Sequence, residues 1–298
     1  MSIAQAAANR RGIVCMAGAM ACFVVNDAIV KVASAALPMA QVILLRSLMV
    51  AVIVLAAARA TGATARLHKA ANPRVLLRAV FDAGATIMYM SALVHLPLAN
   101  ATAINLAAPL IMALLAVLFL NEQVGRDRWL AILAGFAGVL LIIQPRAQGF
   151  NAWALLTLAA TFLHALRDLI TRRIDHDIAS ILITFAAAVA ACLMSATWNL
   201  VGGRWLAFGP LQAGLVLCAA LFVAGGFFLM VASMRQGDMS VVGPFRYSGL
   251  LVALVLGYAI WEDVPNMLAW CGIALMTAAG LWVLHDERAR RHNIPAPD

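Results

Sequence analysis

Apolar residues run through this chain in ten stretches of roughly 16 to 24 residues, each long enough to cross a bilayer as a helix. The pattern predicts spans at Gly12 to Val30, Pro38 to Ala58, Val75 to Leu93, Leu98 to Leu120, Trp129 to Ile143, Trp153 to Thr171, Ile178 to Leu200, Pro210 to Ser233, Ser240 to Ile260 and Met267 to Leu284. The connectors are turns of a few residues, such as Asn121 to Arg128 and Arg235 to Asp238, which leaves no room for a soluble domain. The expected fold class is an all-α integral membrane protein.

Composition agrees. Apolar residues make up 64% and charged ones 11%, where a soluble domain carries about a quarter charged. The net charge of +8 would suit a nucleic-acid partner, but its placement argues for the lipid bilayer instead. With the N-terminus taken as cytoplasmic, Arg10, Arg11, Arg59, Arg66, Lys69, Arg74, Arg78, Arg126, Arg128, Arg172, Arg173, Arg235, Arg288, Arg290 and Arg291 fall inside and only Arg146 and Arg204 outside. That bias puts both termini in the cytoplasm and requires an even number of spans. The Arg10-Arg11 pair, the apolar stretch after it and Ala33-Ser34-Ala35 imitate a secretory signal, but Asn26, Asp27 and Lys31 interrupt the stretch, so it reads as a retained first helix. Cys15, Cys22, Cys192, Cys218 and Cys271 all lie within spans without C-x-x-C spacing and read as small core residues.

Sliding the chain on itself by about 140 residues lays Asn26-Asp27 over Arg167-Asp168, Lys31 over Arg172, Gly84 over Gly225 and Glu122 over Glu262. Two halves are expected, residues 1–145 and 146–298, with five helices each. Because five is odd, the second half enters the membrane in the opposite sense, an inverted repeat whose substrate site lies between the halves near the midplane.

Tyr89-x-x-Ala92-Leu93, Ala99-x-Ala101, Pro109, Glu122 and the glycines from Gly135 to Gly138 form one motif set. Ala232-Ser233, Ser240-Val241, Gly249, Glu262, Gly272 and Gly280 echo it more loosely. On these residues the chain resembles the drug/metabolite transporter superfamily, and within it the EamA-type ten-helix transporters. Among those it looks most like the YddG-type exporters, which release amino acids, some of them aromatic, across the bacterial inner membrane. The resemblance implies a multi-pass inner-membrane exporter of amino acids or related metabolites working by alternating access. Phe245-Arg246-Tyr247 departs from the family pattern of small apolar residues.

A charge near the bilayer centre costs about 2.5–3.5 kcal/mol on insertion scales and needs a partner or a watery cavity. Asp27, Lys31 and Arg46 fall in the outer half, and Asp82, Arg167, Asp168 and Arg246 in the inner half. Asp82, Arg246, Arg167 and Asp168 are expected as an inner gate, and Asp27 with Arg46 as an outer one. Fixed helix-joining pairs are the structural alternative, and Lys31 is expected to snorkel to the interface. Tyr89, Asn105, His164, Tyr247 and Asn26 are candidate cavity residues, able to bind a zwitterion or a flat cation without adding charge. Pro109 and Gly249 are candidate hinges in the fourth and ninth spans. Trp153, Trp198 and Trp261, at span ends, are expected as interface anchors. The spacings Ala131-x-x-x-Gly135 and Gly272-x-x-x-Met276 allow tight packing inside one protomer or between two, so monomer and homodimer both stay open.

No H-E-x-x-H, G-x-S-x-G or Walker A pattern is present, so the expectation is no enzyme, no cofactor and no metal, with protons as a candidate coupling ion. The competing functions are export of drugs, organic cations or another metabolite, an intramembrane lipid-modifying enzyme, and a channel, which would need a repeated filter or charge ring.

Overall fold

The structure is a computed structural model that describes residues 3–120, 126–144, 152–171, 173–175, 177–202, 204–236 and 239–292. Helices α1 (Ile3–Ala33), α2 (Met39–Ala60), α3 (Pro73–Leu93), α4 (Leu98–Asn105), α5 (Ala108–Leu120) and α6 (Arg126–Ile143) come first. They are followed by α7 (Ala152–Thr171), α8 (Ser180–Gly202), α9 (Pro210–Gln236), α10 (Met239–Val242), α11 (Ser248–Trp261) and α12 (Met267–His292). Two 3₁₀ segments, Ala63–Ala71 and Gly243–Tyr247, complete the set, and among the described residues there is no strand. Eight spans have the length and apolarity to cross a membrane, and the shorter apolar helices Trp129–Ile143 and Met267–Trp282 bring the total to ten.

The dominant packing pairs all join the first five spans to the last five. The first span lies along the eighth (α1 on α9) and the sixth along the third (α7 on α3), so one first-to-third contact is made twice, once in each direction between the halves. The second span packs on the seventh (α2 on α8) and the fifth on the tenth (α6 on α12). This arrangement follows from composition: in lipid, helices associate through close van der Waals contact, so small residues mark the seams. A Cβ on Gly138 would stand 2.8 Å from the carbonyl oxygen of Gly272, and one on Gly226 would stand 2.7 Å from the Phe23 ring. The glycine-rich faces of the fifth and tenth spans therefore pack on each other within one chain.

Helix ends are closed by specific residues. Asn72 caps α3 by accepting from the Arg74 amide at 2.9 Å, with Pro73 in the first turn where no amide hydrogen is required. Glu262 ends α11 in a left-handed conformation (φ 56°), and Asp263 donates back to Gly257. Glu122, its expected counterpart, lies outside the described residues.

The fourth and ninth spans are both interrupted. In the fourth, α4 stops at Asn105 and α5 restarts at Ala108, just before Pro109, whose missing amide hydrogen leaves the Asn105 carbonyl without its helical donor. In the ninth span the break is the 3₁₀ turn Gly243–Tyr247, with Pro244 at its start. Gly249 lies after the break and lets α11 approach α1, where a Cβ would meet Met20 Cβ at 3.4 Å and Val24 Cγ2 at 3.5 Å. Pro244 was not among the predicted hinges, although a proline early in a span was the available signal.

Candidate functional site: a polar seam between the halves

The interruption of α4 leaves polar groups that α7 reaches. Thr161 on α7 shares its single hydroxyl proton between Thr157 O at 2.8 Å and, more weakly, Ile104 O at 3.4 Å. One turn further on, His164 Nδ1 lies 2.9 Å from Asn105 Oδ1. An amide oxygen accepts, so Nδ1 is the donor in this contact. The ring of Tyr89 on α3 is 6.4 Å from that imidazole, centroid to centroid. Tyr89, Asn105 and His164, predicted from three different spans, are thus brought together.

Inward along α3 and α7, four charged side chains form a chain. Arg167 Nη1 donates to Asp82 Oδ1 at 2.6 Å, and Arg167 grips Asp168 Oδ1 through Nε at 2.9 Å and Nη2 at 2.8 Å. Arg78 donates from Nη1 to the other Asp82 oxygen at 3.4 Å and from Nε to Thr171 Oγ1 at 3.4 Å. Two guanidinium groups and two carboxylates cancel, which makes their burial affordable. Of the four residues expected as the inner gate, Asp82, Arg167 and Asp168 come together with Arg78, while Arg246 makes no ion pair among the described residues although it lies in electrostatic reach of Asp168. Sequence reading had counted Arg78 as a flanking charge. Its i, i+4 spacing from Asp82 on one helix face was the signal that it belonged inside.

Outward from Tyr89 lies the second polar group. Tyr89 Oη donates to Asp27 Oδ2 at 3.0 Å, Asn26 Nδ2 donates to Asp27 Oδ1 at 2.9 Å, and Arg46 Nη1 donates to Asn26 Oδ1 at 3.1 Å. The expected Asp27–Arg46 pair is therefore indirect, joined through the Asn26 amide, and all four residues belong to the first half. Tyr247 does not join this group. Its hydroxyl is buried against α12, where it abuts Gly280, and has no hydrogen-bond partner among the described residues.

Both membrane faces add ties between the halves. On the outer side, Lys31 reaches the connector after α3, where its Nζ donates to Leu96 O at 2.6 Å and sits 4.7 Å above the Trp261 ring. His95 stacks on Trp153 with centroids 3.8 Å apart. Lys31, His95, Leu96 and Trp261 border an open groove of about 730 Å³ together with Ser34, Pro97 and Asp263. On the inner side, Lys69 pairs with Asp177, Arg74 with Asp175 at 3.6 Å, and Arg74 Nη1 donates to Arg173 O at 2.9 Å. The hydrogen bond from Lys69 holds the Asp177 carboxyl below the usual carboxylate range. None of these inner-rim residues was predicted as a site, although two aspartates in an otherwise basic connector were a legible anomaly. No cluster of metal-ligating side chains occurs among the described residues.

Comparison with known proteins agrees with this architecture. The chain is 28% identical over 264 residues to the pseudopaline exporter CntI of Pseudomonas aeruginosa, covering 86% of this chain and 90% of that one. It is 30% identical over 228 residues to a riboflavin transporter of Rhizobium johnstonii, covering 75% and 73%. An S-adenosylmethionine uptake transporter of Rickettsia bellii matches at 26% over 197 residues, and the chain spans about two thirds (65%) of that relative's length. A solved crystal structure shares the fold at a TM-score of 0.65 and 19% identity, covering 96% of this chain and all of that one. Residues 10–144 and 151–284 each match the EamA-like transporter family, and the chain belongs to that family, within the drug/metabolite transporter superfamily, as a multi-pass membrane protein.

Proposed function

We propose that the protein is a secondary transporter of the bacterial inner membrane that exports amino acids and related small metabolites by alternating access between its two halves. The observation that carries the reading is the Asp82–Arg167 pair, which ties α3 of the first half to α7 of the second at 2.6 Å within the membrane. A charge pair that joins two inverted halves can form in one state and break in the other, which is what a gate requires. The surface ties at Lys69–Asp177 and Arg74–Asp175 lie on the same side of the membrane as that pair. We take this conformation as one in which the inner gate is closed.

Asn26, Tyr89, Asn105 and His164 would line the substrate path, offering amide, hydroxyl and imidazole groups to a zwitterion. His164 and the carboxylates Asp27, Asp82 and Asp168 are the candidate proton carriers. Export draws support from the CntI relative, whose match covers 86% of this chain. A flat aromatic metabolite is the second reading, favoured by the Tyr89 and His164 rings standing 6.4 Å apart and by the riboflavin-transporting relative.

Reconstitution into liposomes with a panel of labelled amino acids and riboflavin, with and without an imposed proton gradient, tests both. Uptake of several amino acids that Asp82→Ala and Arg167→Ala abolish, with membrane insertion intact, is the expected result. Uptake unchanged in both variants would remove the gate, and riboflavin flux alone would select the second reading.

A further inference from the structure

Arg46 on α2 is 6% exposed, yet among the described residues its sole hydrogen bond is the one from Nη1 to Asn26 Oδ1. Guanidinium carries five N–H donors, and Nε is buried here with no partner. Two carboxylates act on Arg46 through their fields, Asp27 and Asp82, but neither comes within ion-pair distance. Both are already engaged. Asp27 accepts from Asn26 on one oxygen and Tyr89 on the other, and Asp82 accepts from Arg167 on one and Arg78 on the other.

A buried cation whose possible counter-ions are held by other donors is an unfinished ion pair. Because Nη1 is taken by an amide, the open edge is Nε with Nη2, whose parallel N–H groups match the two oxygens of a carboxylate. We propose that Arg46 is the specificity residue of the transport site, binding the carboxylate of the substrate side-on while Asn26 holds the guanidinium in place. The proposal rests on the reading that the protein carries amino-acid-like metabolites and names the group by which it recognises them. A substrate ammonium would find Asp27 close by, already linked to Arg46 through Asn26. The Nε atom is shut off in the present conformation, so the site opens only when the seam around α2 parts, as alternating access demands.

The test compares acids with their amides, for example L-methionine with L-methioninamide and L-phenylalanine with L-phenylalaninamide. At pH 6 the amino groups, with ordinary pKa values near 8, are protonated throughout, so each pair differs only at the carboxylate. The wild-type protein in liposomes is assayed by competition against labelled amino-acid uptake, and in detergent by ligand-induced shift of its melting temperature. The expected result is at least about a tenfold preference for each acid, lost in Arg46→Gln and partly kept in Arg46→Lys, which retains the charge but not the fork. Equal competition by acid and amide in the wild type overturns the proposal while leaving amino-acid transport standing. That comparison needs no variant to fold. A preference that survives Arg46→Gln overturns it as well. If no amino acid is carried and no acid shifts the melting temperature, the amino-acid reading falls and the carboxylate site falls with it.

Discussion

Arg167 on α7 donates to Asp82 on α3 at 2.6 Å while its other edge holds Asp168 on its own helix, so a single guanidinium joins the two halves of the molecule. Arg78 completes the group from one turn earlier on α3. Removing one partner of such a buried set leaves a charge without compensation, which typically costs about 3–5 kcal/mol. For Asp82→Asn a loss of about 3 kcal/mol is expected, because Asp168 still serves Arg167. Unfolding in detergent measures it, and the exchange Asp82→Arg with Arg167→Asp should recover part of the loss. An unchanged unfolding midpoint in Asp82→Asn would mean that the pair contributes nothing to stability.

The fifth and tenth spans approach until Gly138 and Gly272 oppose each other's backbone. A methyl group at Gly138 would stand 2.8 Å from a carbonyl oxygen, and backbone has little freedom to retreat. Gly138→Ala should therefore destabilise by about 1–3 kcal/mol, the usual cost of overpacking. Gly225→Ala is the control, since nothing lies within 4 Å of that position. Equal melting temperatures for the two variants would contradict the packing.

On the outer face, the Lys31 ammonium 4.7 Å above the Trp261 ring predicts a coupling of about 0.5–2 kcal/mol between them. A double-mutant cycle with Lys31→Met and Trp261→Leu measures it directly. Additive losses would show that the ring serves only to fill space.

The inner rim gives a pH dependence with a definite sign. Lys69 holds the Asp177 carboxyl below its ordinary range, so the pair's contribution is complete above about pH 4 and fades as the pH falls through the lowered value. The stability difference between the wild type and Asp177→Asn should be flat from about pH 5 to 8 and shrink only in stronger acid. A difference that grew toward acid pH would refute the pairing. High salt should also reduce it, because the Asp177 carboxylate is exposed to solvent and Lys69 is only half-buried.

Particular residues show how far each kind of information reached. The ten spans could be read from consecutive apolar residues, as could the repeat that lays Asp27 over Asp168. Tyr89, Asn105 and His164 were picked out singly for their chemistry and do meet in space. The charge pairs were assigned less well. Arg246 is expected beside Asp82, Arg167 and Asp168, but Arg78 takes that place on Asp82. Tyr247 was expected in the cavity, yet its hydroxyl is buried against Gly280. Pro109 is expected to bend the fourth span, and the helix is interrupted between Asn105 and Ala108, just before it.

Hydropathy depends on neighbouring residues and on the thickness of the bilayer, so span number, the positive-inside bias and the opposed orientation of the halves were all settled by the chain's own order. Choosing among several buried arginines for one aspartate depends on distances between residues about 85 positions apart in sequence, as with Asp82 and Arg167. Those distances follow from how the small residues let each helix approach its neighbour. Only the folded arrangement could show that Asp27 and Asp82 are already occupied and that Arg46 stands beside them without a counter-ion.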